Sequence, residues 1–127
     1  MHMPSRTPED LHALLAAAMN QGDIDAFVEA FEDDAVHVVP PTGARTVGKA
    51  ALRAALEPTF ALHPTARMEV VGKLEGDGFA LTHGRWQLVL THPDGRREHL
   101  KGRGTIVSRR RSDGTWRIVL DDPMTPR

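Results

Sequence analysis

The chain has 127 residues, 40% hydrophobic and 26% charged, with 16 Lys and Arg against 17 Asp and Glu. That length fits one domain, expected over residues 7–124 with tails at 1–6 and 125–127, and the balanced charge gives no pull toward nucleic acid unless folding concentrates a basic face. The absence of Cys excludes disulfides, thiol catalysis and thiolate metal sites, and no apolar run reaches the roughly 18 residues of a membrane span, which leaves the cytoplasm as the expected compartment.

Thr7-Pro8-Glu9-Asp10 reads as a helix start, with a capping hydroxyl, proline at the first helical position and acids near the positive end. Leu11, Leu14, Leu15, Ala18 and Met19 then form an apolar stripe, and Gly22 supplies a stop. Asp23 caps a second short helix in which Ile24, Phe27, Val28 and Phe31 share a side before the acidic turn Glu32-Asp33-Asp34. Ala35 to Val39 is extended and ends at Pro40-Pro41. After a Thr42-Gly43 loop, Lys49 to Leu62 reads as a third helix in which Pro58 predicts a kink or a short terminal turn.

From Ala66 onward the pattern becomes period two. Met68 to Val71, Phe79 to Thr91, His99 to Arg109 and Trp116 to Leu120 read as strands joined by Glu75-Gly76-Asp77-Gly78, Pro93-Asp94-Gly95 and Ser112-Asp113-Gly114. Such a meander is antiparallel in its simplest form, and the helices are the available cover for one face. The predicted class is therefore α+β. Gly84, Gly102 and Gly104 lie inside strands, where they mark bends or make room for Trp86 or a helix.

Several features bear on chemistry. Gly43 to Lys49 has the glycine and lysine spacing of a phosphate loop, but Ala50 stands where Ser or Thr is needed, so a helix start with Thr46 as its cap is the better reading. The histidines show no metal-ligand spacing, and no metal or cofactor is expected. His83 shares parity with Phe79, Leu81 and Arg85, which makes it either a pocket residue or a hydrogen-bonded core residue. Asp121 and Asp122 continue an apolar strand, and alternation sends them to opposite faces, one of them the concave side. An exposed strand end, or pairing with Arg103 or Arg117, is the alternative. Trp86 and Trp116 are core residues or a flat wall for a ring-shaped ligand, and Arg109, Arg110 and Arg111 are solvated charges at a turn.

Asn20-Gln21-Gly22-Asp23, Phe31-Glu32-Asp33-Asp34-Ala35, Val47-Gly48-Lys49-Ala50-Ala51-Leu52-Arg53, His83-Gly84-Arg85-Trp86 and Asp113 to Val119, in this order and spacing, resemble the SnoaL-like and ketosteroid-isomerase-like group of the nuclear transport factor 2 superfamily. The resemblance implies a cystatin-like cone, with helices filling the concave side of a strongly curved antiparallel sheet. It also implies a homodimer through the outer sheet face and a pocket for a small apolar ligand. The expected lining is Leu15, Met19, His37, Val39 and Phe60 from the first half, with Trp86, Ile106 and Trp116 from the second.

Ketosteroid isomerase itself pairs a carboxylate base with a tyrosine and a protonated aspartic acid. Leu15, Val39 and Ile106 stand at those positions here, and the chain has no Tyr. Acid/base chemistry of isomerase or lyase type on a small apolar carbonyl compound then requires another set: Asp121 as general base, with His83 or Arg103 positioning the carbonyl or stabilising an enolate. The competing expectation is a non-catalytic ligand-binding or dimerisation module.

Overall fold

The computed structural model describes residues 4–40 and 42–125. The first helix, α1 (Pro8–Gln21), begins with a capping box: Thr7 accepts from the Asp10 amide while Asp10 accepts from the Thr7 amide at 3.1 Å. It ends at Gly22, whose φ of 68° is the left-handed conformation that glycine adopts without strain. Asp23 caps α2 (Ile24–Glu29), accepting from the Ala26 amide at 3.0 Å.

The next strand, β1 (Phe31–Val39), starts earlier than the sequence suggests, so Phe31 and the Glu32-Asp33-Asp34 acids are extended rather than helix end and turn. Burial decides this, because Phe31 is fully buried and stacks on Phe27 at 5.7 Å. Ala44–Val47, read as loop and cap, is a short strand β2 that pairs with the end of β1. Thr46 consequently donates its hydroxyl to the His37 carbonyl, and Gly48 caps α3 (Lys49–Ala61) without a side-chain bond. Pro58 sits inside α3, which continues to Ala61, so the last turn lacks the amide hydrogen bond from residue 58 back to the Ala54 carbonyl.

Four further strands follow: β3 (Thr65–Glu75), β4 (Phe79–Thr91), β5 (Arg97–Arg110) and β6 (Trp116–Asp122). They complete a six-stranded sheet of order β2-β1-β6-β5-β4-β3. The meander from β3 to β6 is antiparallel, but β6 pairs with β1 in parallel, so the sheet is mixed rather than purely antiparallel. β6 comes back beside β1 after β2, α3 and β3 to β5, the long connection that a parallel pair requires.

One sheet face carries Ala66, Ala80, Thr82, Leu90, Ile106, Ser108, Trp116 and Ile118, all buried. The helices close on it through Leu11, Leu15, Ala18, Phe27, Leu52 and Leu56, also buried. Each large apolar side chain so enclosed contributes about 1.5–3 kcal/mol. Contacts extend past the expected domain edges: the Ser5 hydroxyl donates to the Trp116 carbonyl at 2.6 Å, and the Thr105 and Thr125 hydroxyls lie 2.6 Å apart. No helix among the described residues is long and apolar enough to cross a membrane.

Candidate functional site

Between the helices and the concave sheet face lies a cavity of about 240 Å³. Its wall is apolar over most of its extent, with Leu15, Met19 and Phe27 from the first two helices, Leu56 from α3, and Met68, Trp86, Leu88, Leu100 and Ile106 from the sheet. Polar groups are few. A cavity of this size with so oily a wall suits a small organic molecule.

One rung of the sheet supplies much of the polarity. His37 on β1 is registered with Asp121 on β6, Asp121 with Ile106 on β5, and Ile106 with Thr82 on β4. His37 Nδ1 lies 3.1 Å from Asp121 Oδ2, and both residues are about 95% buried. At the other end of the rung, His12 of α1 places Nε2 2.7 Å from the Thr82 hydroxyl. His12, His37 and Asp121 all line the cavity.

Asp121 reaches this position because β6 carries an extra residue. Leu120 is registered with Val107 but Ile118 with Ser108, so Val119 is a bulge that has no opposite number. Plain alternation would group Asp121 with Arg117 and Val119 and send Leu120 inward with Trp116 and Ile118. The bulge reverses this, turning Leu120 out to 40% exposure and Asp121 in. Asp122 is buried too, its Oδ1 accepting from the Met124 amide at 3.0 Å. On β1, the ring of Phe31 meets His37 edge-on at 6.0 Å and helps fix the imidazole.

Burial pushes the His12 imidazole below its ordinary pKa, with the Asp121 and Glu9 charges opposing the shift. A neutral ring results at physiological pH. Among the described residues, no group of three or more His, Asp or Glu is placed to hold a metal ion.

The sequence-selected residues divide by strand parity. Leu15, Met19, His37, Val39, Trp86, Ile106 and Asp121 line the cavity. His83 and Arg103 do not: both are exposed on the outer sheet face, where His83 Nδ1 lies 3.1 Å from the Thr105 hydroxyl. Neither expected state of His83, pocket residue or core residue, is what the fold gives it, because the concave parity of β4 is that of Thr82, Gly84 and Trp86. Arg103, registered with Arg85, shares that outer parity, which removes both cations from the carbonyl-positioning role. Phe60 and Trp116 also lie outside the cavity wall: Phe60 packs edge-on against Phe27 at 5.8 Å, and Trp116 is core under the Arg110 guanidinium.

His12 went unselected in the sequence, although its spacing of three and seven from Leu15 and Met19 puts it on their stripe. The strand glycines each admit a specific neighbour. A Cβ at Gly84 would stand 2.9 Å from His12 Nδ1, one at Gly102 2.7 Å from the Trp86 ring, and one at Gly104 2.7 Å from Pro123 Cα. The last two contacts, with the Trp86 indole donating to the Pro123 carbonyl at 2.7 Å, hold the chain end against the cavity wall.

Comparison with known proteins places this geometry. The SnoaL-like domain model matches residues 11–119. No curated protein matches the chain. Among solved structures, a conserved protein from Planctomyces limnophilus superposes with a TM-score of 0.81 at 19% identity, covering 91% of each chain. A ketosteroid isomerase-like protein from Erwinia carotovora atroseptica gives 0.78 at 19% identity, over 90% of this chain and 89% of that one. An NTF2-like protein with a cystatin-like fold from Novosphingobium aromaticivorans gives 0.73 at 18% identity, over 89% and 75%. At these identities the likeness is one of fold.

Proposed function

The chain belongs to the SnoaL-like domain family, and from that membership and the buried His37–Asp121 pair we propose that it performs acid/base chemistry of isomerase or lyase type on a small apolar carbonyl compound. The carrying observation is a histidine and a carboxylate in hydrogen-bond contact on the wall of an otherwise oily cavity. With Asp121 ionised, its Oδ2 accepts Nδ1–H of His37 and leaves the Nε2 lone pair free to take a proton. The pair removes a proton from the carbon beside the carbonyl, the C–H electrons form an enolate, and the proton returns to another carbon.

Cyclohex-3-en-1-one is a fitting probe, since its isomerisation to the conjugated ketone is followed by ultraviolet absorbance. The protein accelerates that conversion, and Asp121→Asn or His37→Gln lowers the rate about 10²- to 10⁴-fold, while His83→Ala and Arg103→Ala leave it unchanged. Equal rates for the unaltered protein and the two dyad variants would overturn the reading.

A non-catalytic role is supported by one separate observation. On the outer face Val47, Val36, Leu120, Val107, Leu81 and Leu74 are registered neighbours, one from each of the six strands in order. We infer that this row seats a second copy of the chain, forming a homodimer through the outer face. The two readings are compatible, because His37 and Asp121 lie on the concave face of the sheet and the row on the outer one.

A further inference from the structure

The proposed proton transfer leaves the largest side chain of the cavity wall without a task. Trp86 stands on β4 directly opposite Gly102 of β5, where no side chain rises to hold the indole upright. A Cβ at Gly102 would meet Cζ2 at 2.7 Å, Cε2 at 2.9 Å and Nε1 at 3.2 Å, three contiguous atoms of the ring. The indole therefore leans over β5 and lies across the strand. Gly104 reaches the cavity but Gly102 does not, because the ring covers it. The far corner of the ring is tied down as well: Nε1 donates to the Pro123 carbonyl at 2.7 Å, which satisfies the one polar group of the indole.

A ring laid along the concave side of a sheet has one face on backbone and the other toward the helices. Trp86 is half-buried and lines the cavity, so that second face is cavity wall. Nothing in the fold uses it. Phe27 has Phe31 and Phe60 against its ring, and Trp116 lies under the Arg110 guanidinium, but among the described residues neither ring nor cation is set against Trp86.

We propose that Trp86 is the stacking platform of the cavity, which selects compounds with a flat conjugated ring over puckered saturated ones of the same size and polarity. This rests on the reading of the cavity as a carbonyl site and gives it a substrate class: cyclic carbonyl compounds that are conjugated or become so on proton transfer. Two π systems in offset stacking attract beyond the area they bury. An enolate is planar at the carbons that share its charge, whereas the saturated ring is puckered, so the same surface favours the reacting species over the ground state. The position fits, because the Pro123 carbonyl that holds the indole lies two residues along the chain from Asp121.

The test uses the full chain and two ketones, acetophenone and cyclohexyl methyl ketone, which carry the same carbonyl on a flat and a puckered six-membered ring. By calorimetry the unaltered protein binds acetophenone about 2- to 10-fold more tightly, and the ring-proton resonances of acetophenone move upfield on binding, as stacking on an indole requires. Trp86→Leu removes both the preference and the upfield movement. Gly102→Ala, which tips the indole off the strand, reduces both and decides the matter should Trp86→Leu not fold. Equal affinities for the two ketones in the unaltered chain, or a preference that survives both substitutions, overturn the platform. Ethylbenzene, with the flat ring but no oxygen, tests the carbonyl reading separately: binding as tight as that of acetophenone overturns that reading and leaves the platform standing.

Discussion

Burial of His12 ties fold stability to pH. Its folded pKa lies below the ordinary 6.5 because desolvation penalises the charged ring, outweighing the attraction of Asp121 and Glu9. Below about 6.5 the unfolded chain therefore takes up this proton before the folded one does. Stability from His12 is complete above that pH and declines as pH falls from 6.5 toward the lower folded value. Glu9 acts in a separate window: its hydrogen bond to Lys73 holds it below 4.5, so its contribution fades only as pH drops under that value. Urea midpoints measured from pH 8 to pH 5 thus isolate histidine. They fall with acidity in the unaltered chain and fall less in His12→Gln; an unchanged slope in the variant would assign the effect to another group.

At the level of elements, the strands had to curl, and glycine and bulges are how they do so. Gly104 marks the sharpest constraint, because an added Cβ would meet backbone on two sides, Pro123 Cα at 2.7 Å and the Asp122 carbonyl at 3.0 Å. Gly104→Ala is expected to cost about 1–3 kcal/mol, as overpacking does. Gly102→Ala meets the Trp86 side chain, which can move, and costs less; thermal melts of the two variants give the order. Much of this level was legible in the sequence. Thr7, Gly22 and Asp23 marked their caps because the signal is local, and alternation from Phe79 to Arg109 identified two strands. The facing of Asp121 was not legible, since the Val119 bulge depends on pairing with β5, and neither was β2, whose four residues are held by β1 alone. The assignment of His83 and Arg103 to the pocket failed for the same reason: period two states which residues share a face but not which face the helices cover.

For the molecule as a whole, the outer face is the feature that the cavity does not explain. Val47 is 65% exposed, Leu74 74% and Leu120 40%, all within one apolar row that crosses the entire sheet. Folding also gathers Arg67, Arg85, Lys101 and Arg103 on the exposed face of β3, β4 and β5, with Glu69 the acid among them. The acidic start of β1, including exposed Asp34, lies on the other side of the row, because β1 and β4 run in the same direction and Asp34 precedes Val36 while Arg85 follows Leu81. A two-fold axis crossing the row diagonally therefore brings apolar surface to the centre and sets the basic field of one copy toward the acidic end of the other. Light scattering after gel filtration should give a particle of twice 14.0 kDa. Leu120→Lys with Val107→Lys should yield monomers that still isomerise the probe ketone, and Arg85→Glu with Arg103→Glu should weaken association unless Asp34→Lys is added. A monomer at every concentration, or a dimer indifferent to the double lysine variant, removes this face as the seat of a second copy.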